Sequence, residues 1–211
     1  MVRGRTFVLC VVTGFGLATL SVLPAAAAAT KAPGLLVVTD LPGTFQGAAP
    51  TTDVAFNALV VDPKTCTETP KPIVGLSGAL SVVFGGAGTA TPVVVSENVV
   101  SFPQARAARV AFTMQSKSAK AAVACRSVGF IPPGTTAAIG TVSIAKVKFA
   151  VTSDASFATS VNAAGTTVLT NFVTFLHGPY LVTVGASAGP DGLSAADLKA
   201  IVGRARNRLK A

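Results

Sequence analysis

Hydrophobic and polar positions change period several times along the chain, and each change marks an element. Residues 7–23 are an uncharged apolar run that ends in Pro24 and five alanines. Residues 34–40, Gly-Leu-Leu-Val-Val-Thr-Asp, form a second apolar run stopped by Leu41-Pro42-Gly43, a length that suits a strand or a short packed turn. Residues 43–53 read as loop, and residues 54–61 are apolar again, with helix and strand both open at that length. Three prolines and dense polarity place residues 62–72 on the surface as a loop. From Gly78 the texture is β: residues 80–84 end at Gly85-Gly86 and residues 92–102 follow, which predicts a hairpin.

Residues 104–124 contain neither Gly nor Pro and follow a helical period. Ala107, Val110, Ala111, Met114, Ala121, Ala122 and Cys125 fall on one side of that helix, interrupted only by Ser118. Arg106, Arg109, Lys117 and Lys120 make a separate basic stripe with no acid among them. An apolar face so rich in alanine suits close packing on a sheet. Residues 139–152 then alternate as a strand with Lys146 and Lys148 on its wet side, and residues 166–176 and 180–185 read as two strands joined at His177-Gly178-Pro179. A last helix begins at Ser194 as N-cap, with Asp197 at the third position and Leu193 set against Leu198. Its inner face is Leu198, Ile201, Val202, Ala205 and Leu209, and its outer face is Lys199, Arg204, Arg206, Arg208 and Lys210. These elements predict an α+β fold: a mainly antiparallel β-sheet packed with an Ala-rich central helix and a C-terminal amphipathic helix, as one domain over residues 34–211.

The first 29 residues change the setting of that domain. Arg3 and Arg5, the apolar run and the small residues to Ala29 have the order of a secretory signal peptide cleaved near Ala29, with residues 30–33 as a short linker. A retained membrane anchor is the alternative reading of an apolar run near the spanning length of about 18 residues; Pro24 and the alanines favour cleavage. Lipid anchoring is disfavoured because Cys10 lies inside the apolar run. Removing Arg3 and Arg5 from the 17 Lys and Arg leaves fifteen against eight acidic residues, a net charge of +7. An exported basic protein meets anionic headgroups and acidic wall polymers, although ordinary solubility needs a charge of this size too. Nucleic acid is disfavoured: the chain has no Trp, one Tyr and no basic run interleaved with aromatics. With Cys10 gone, Cys66 and Cys125 remain, and an oxidising compartment leads us to expect a structural disulfide between them. A redox pair would more typically show closely spaced thiols.

Candidate chemistry is sparse. The eight carboxylates are scattered, the single histidine His177 sits in an expected exposed turn, and no G-x-S-x-G elbow occurs. Gly85-Gly86-Ala87-Gly88 lacks the lysine of a phosphate loop. No catalytic residue, metal site or cofactor is expected, and a hydrolase would need His177 to meet a nucleophile and a carboxylate from elsewhere in the chain. The expected seat for a ligand is an apolar cleft between sheet and helix lined by Phe112, Phe149, Phe172 and Phe175. The basic stripe offers a second possibility, contact with an anionic surface, against the plainer reading of a solvated helix face.

The order of short phrases points the same way. Leu35-Leu36 and Asp40-Leu41-Pro42-Gly43-Thr44-Phe45 precede a Cys; a strand ends in Val99-Val100-Ser101-Phe102 and runs straight into an Ala-rich helix that ends at a second Cys. A β-meander and a short terminal helix follow. This layout resembles small secreted or lipid-anchored proteins of actinobacteria and is similar to the extracellular sensor domains that some of their serine/threonine kinases carry. The resemblance implies an antiparallel sheet packed with helices and a non-catalytic role in ligand binding or sensing at the cell envelope. It carries over no binding residues. The chain shows no kinase domain, so signalling by it alone is not expected, and it offers one disulfide where such domains tend to have more. N-terminal sequencing of the exported protein should find a start at or near Thr30; a product that retains Met1 would overturn the cleavage reading.

Overall fold

The computed structural model describes residues 34–53, 57–86, 93–130, 140–147, 154–163, 166–188 and 193–210. The leader and the linker lie outside them. A 3-10 turn, Val38–Asp40, is followed by β1 (Phe45–Gly47), β2 (Thr51–Asp53), β3 (Asn57–Asp62), β4 (Thr67–Pro72), β5 (Gly78–Gly86) and β6 (Val94–Ser101). Helix α1 (Ala105–Cys125) leads to β7 (Ser127–Phe130), β8 (Gly140–Ala145), β9 (Ala155–Ala163), β10 (Thr166–His177), β11 (Tyr180–Ala188) and helix α2 (Ala195–Arg208). The strands form one sheet in the order β1-β5-β6-β11-β10-β9-β8-β7-β4-β3, with β2 also paired to β5. All pairings are antiparallel except β4 with β7, so the sheet is mixed and the class is α+β as expected.

Strand β11 is buried on both faces from Leu181 to Ala188, and β6 is buried on both faces at Val99 and Val100, because both faces of the sheet are covered. Val99 and Val182 point into a core closed by Leu198, Ile201, Val202 and Ala205 of α2. Their neighbours Val100 and Leu181 point the other way, into a core closed by Ala108 and Ala111 of α1. Each buried Val, Leu or Ile contributes roughly 1.5–3 kcal/mol of transfer free energy, so these two alternations set both helices in place. The hairpin β5–β6 and the turn at Gly178-Pro179 form as the sequence predicts, with Gly178 at φ 56, a left-handed conformation that glycine adopts at little cost.

Of the two alternatives for residues 34–40, the packed turn is the one adopted, with Leu36 buried beneath α2. Other expectations are corrected. Within residues 43–53, expected as loop, β1 and β2 pair with the otherwise open edge of β5. The proline-rich stretch 62–72 is loop only as far as Cys66: β4 pairs with β3 along its whole length and with β7 only at Thr67 and Glu68, so Pro70 and Pro72 fall where a missing N–H is tolerated. Residues 139–152 give a shorter strand, β8, with the rest of that run beyond Val147 outside the described residues. Strands β7 and β9 were not legible, because Ser, Thr and Ala in β9 become a strand only by pairing with β8 and β10.

The core-facing side of α1 also differs from the expected one. Its buried residues are Ala108, Ala111, Gln115, Ser118, Ala119 and Ala122, whereas Val110 is 67% exposed. The helix is turned so that mainly alanines meet the sheet, which lets its backbone approach closely, and Val110 is left on the flank. The C-terminal helix behaves as predicted at its start, where the Asp197 N–H donates to Ser194 Oγ at 3.1 Å. Its outer face is less free than expected. Arg206 donates to both carboxylate oxygens of Asp154 at 2.5 and 2.6 Å, with its guanidinium 4.4 Å above the Phe175 ring. Arg208 donates to both oxygens of Asp40 at 2.9 and 3.2 Å, and Arg204 donates to the Asp40 carbonyl.

The segment 34–40 is held from a second direction by Glu97 on β6. Its side chain is fully buried on the α2 face, Oε2 accepts the Leu36 N–H at 2.6 Å, and Oε1 has no partner among the described residues. Burial pushes the Glu97 carboxyl up to about 7; the Leu36 N–H pulls it back, Asp40 raises it further and Arg208 lowers it. Burial alone pushes Glu68 on β4 to about 7 as well. Burial also works to raise Asp40, but the Arg208 hydrogen bond, the Val37 N–H and the charges of Arg208 and Arg204 outweigh it and hold that carboxyl below its usual value. A carboxyl raised in the folded state binds its proton more tightly there than in the unfolded chain. Its contribution is therefore complete below the unfolded value of 4.5 and is lost as pH rises through about 7. Chemical denaturation at a series of pH values should show stability falling between pH ~5 and ~8, with ~3 kcal/mol of the fall traced to Glu97. Glu97→Gln should flatten that part of the curve; an unchanged slope would show that Glu97 is already ionised in the fold.

Candidate functional site

The turn of α1 that brings alanines to the sheet opens a groove along the helix flank. Strand β3 is the last strand of the sheet, and α1 packs beside it. Between them lies an open groove of about 580 Å³ lined by Val60 and Val61 of β3, Pro63 of the following turn, and Val110, Thr113, Met114, Lys117, Ser118 and Ala121 of α1. That volume falls within the ~300–1,000 Å³ of small-molecule sites. Val110, Met114 and Ala121, which the helical period assigned to the core face, are thus groove residues.

Two ties fix the groove's walls. Ser118 Oγ accepts the Val61 N–H at 2.9 Å, so the helix caps the edge of β3. Beyond the groove, Cys66 in the β3–β4 turn is bonded to Cys125 at the end of α1, with Cα atoms 5.7 Å apart. The expected disulfide is present in the fold. The backbone bends sharply at both ends of this tie, at Cys66 with φ 51 and at Arg126 with φ 61, and Arg126 ends α1 by donating its N–H to the Ala122 carbonyl at 3.1 Å.

The hydroxyls of the groove are committed. Thr113 Oγ1 donates to the Arg109 carbonyl at 2.9 Å, and Ser118 Oγ holds Val61. Lys117 is the one charged group in the lining. Arg106, Arg109 and Lys120 are exposed on the same flank of α1, and the helix carries no acidic residue. None of these four cations has an ion-pair or hydrogen-bond partner among the described residues, in contrast with Arg204, Arg206 and Arg208 of α2.

The four phenylalanines expected to line one cleft do not share one. Phe112 packs against the core beneath α1, and Phe175 lies in the core beneath α2. Phe172, three residues before Phe175 on β10, points to the opposite face of the sheet and rests with its ring centre 5.1 Å from that of Phe157. Phe149 lies outside the described residues. The alternation of β10 separates what proximity in sequence had grouped. His177 ends β10, half-buried and opposite Tyr180, rather than standing free in a turn. Among the described residues no three His, Cys, Asp or Glu side chains lie together as a metal site would need, and no described helix is long and apolar enough to cross a membrane.

A mixed sheet covered by one helix on each face, with an open groove on the flank of the first helix, defines the class of molecule. No protein-family model and no curated protein matches the chain. Among solved structures, the fold is similar to that of the extracellular domain of PknH from Mycobacterium tuberculosis, with a TM-score of 0.57 and 16% sequence identity, covering 84% of this chain and 93% of that one. At that identity the likeness is one of fold, and it agrees with the kinase sensor-domain layout read from the sequence.

The disulfide spans 59 residues in sequence, and closing a loop of that length is worth about 4 kcal/mol in the loop-entropy model. Replacing both cysteines by serine should lower unfolding stability by up to about that amount in urea titrations. A loss below ~1 kcal/mol would show that the unfolded chain is already restrained there.

Proposed function

We propose that this chain is an exported, non-catalytic binding module of the cell envelope, sensor-like in fold, whose ligand is an apolar or amphiphilic small molecule seated between α1 and β3. The observation that carries this reading is the groove itself, whose lining includes Val110, left 67% exposed. Large apolar side chains gathered in an open concavity mark interaction sites more often than isolated exposed ones do. The arginine-led leader, the disulfide and the fold shared with an extracellular domain support an extracytoplasmic location. The scattered acids and the position of His177 support a non-catalytic role.

Native mass spectrometry of the exported protein, with lipid extraction of any bound fraction, is the direct test. A discrete co-purifying amphiphile that disappears in Val110→Asp is the expected result. Because Val110 is exposed, that change should shift stability by no more than about 0.5 kcal/mol. An apo spectrum that persists after incubation with lipid extract would overturn the reading.

The α1 cations, without partners among the described residues, favour a second reading, in which Arg106, Arg109, Lys117 and Lys120 rest on an anionic polymer or headgroup layer with no chain in the groove. It requires that neutralising those four residues abolish salt-sensitive retention at the envelope while Val110→Asp leaves retention intact.

A further inference from the structure

We propose that the groove selects amphiphiles with an anionic head, a single alkyl chain lying along α1 and a phosphate or carboxylate held at Lys117 with Lys120 beside it. This rests on the groove being a ligand seat, as proposed above, and adds the chemical class of the ligand.

Three observations carry it. First, the groove offers one free polar anchor. The Thr113 and Ser118 hydroxyls are engaged with the backbone, so the Lys117 ammonium is the group in the lining with donors to spare. A neutral head would find little to bond, whereas an anionic head meets a full charge at the edge of an apolar trough. Second, the cations come in like-charge pairs three residues apart, Arg106 with Arg109 and Lys117 with Lys120, neighbours on one helical flank. Such pairs destabilise a helix, and Arg106 stands in the first turn, where the helix dipole disfavours a cation. No acidic side chain among the described residues offsets that cost, although the arginines of α2 obtain Asp40 and Asp154. An arrangement unfavourable to the helix and met by no acidic group among the described residues fits a group brought by the ligand. Third, Val110 and Ala121 are eleven helical steps apart, a trough of ~16 Å at 1.5 Å per residue, long enough for one medium-length chain.

The test is calorimetric titration of the exported, oxidised protein with monomeric dodecyl phosphate, dodecyl maltoside and glycerol phosphate. These present chain with anionic head, chain with neutral head, and anionic head without chain. Dodecyl phosphate is expected to bind about tenfold more tightly than the maltoside, with the preference shrinking as salt is added. Lys117→Ala with Lys120→Ala should erase the preference, bringing the two dodecyl compounds to equal affinity. That variant removes a like-charge pair, so it should melt no lower than the parent, which separates lost selectivity from lost fold. Equal affinity for the two dodecyl compounds would overturn the anionic selectivity and leave the groove as an apolar seat. Failure of both to bind, or glycerol phosphate binding as tightly as dodecyl phosphate, would overturn the seat itself.

Discussion

Burial of β6 and β11 on both faces is the constraint from which the rest of the structure follows. Val99 and Val182 need cover on one side and Val100 and Leu181 on the other, so a helix must sit on each face. The two helices meet that need differently. Helix α2 brings Leu198, Ile201 and Val202, large side chains that fill space at a distance. Helix α1 brings Ala108, Ala111, Ala119 and Ala122, which cover the sheet by letting the helix backbone come near it. With alanines at most of the inward positions, Val110 is left on the flank and Met114, partly buried, reaches both the core and the groove. The groove beside β3 is therefore a product of how the opposite face of the helix packs.

Charge follows the same division. On α2, arginines are tied to Asp40 and Asp154, and through Asp40 they clamp the segment 34–40 to the last helix. Buried Glu97 holds that segment from below through the Leu36 N–H. These contacts join residues far apart in sequence and account for much of the basic character of the C-terminus as structural. On α1 the cations have no such partners among the described residues, which is why net charge is a poor guide to function here and its placement a better one. The disulfide belongs to the α1 side: it fastens the turn that carries Pro63 to the end of the helix and so holds together the two walls of the groove.

Elements with strong local signals were legible in the sequence. The hairpin β5–β6, the turn at Gly178-Pro179, the extent of α1 and the capped start of α2 each follow from a short run of residues whose preferences agree. The lone glutamate of β6 carried a signal too, a charged residue at a core-facing register between Val95 and Val99. Strand β9 and the pairing of β1 and β2 carried none, since their residues become strands only because neighbouring backbone offers partners.

The sequence by itself determined the class of fold, the two helices and the cysteine pair, because periodicity, capping and the even cysteine count act over short distances or need no geometry. Only the tertiary structure decided which side of α1 faces inward, since alanine is apolar enough to be buried and small enough to be chosen over valine when two backbones must lie close. It likewise separated Phe172 from Phe175 across the sheet, and it assigned the arginines of α2 to partners while leaving those of α1 without any among the described residues. Both outcomes depend on what stands opposite a residue in space, and a sequence records only what stands beside it.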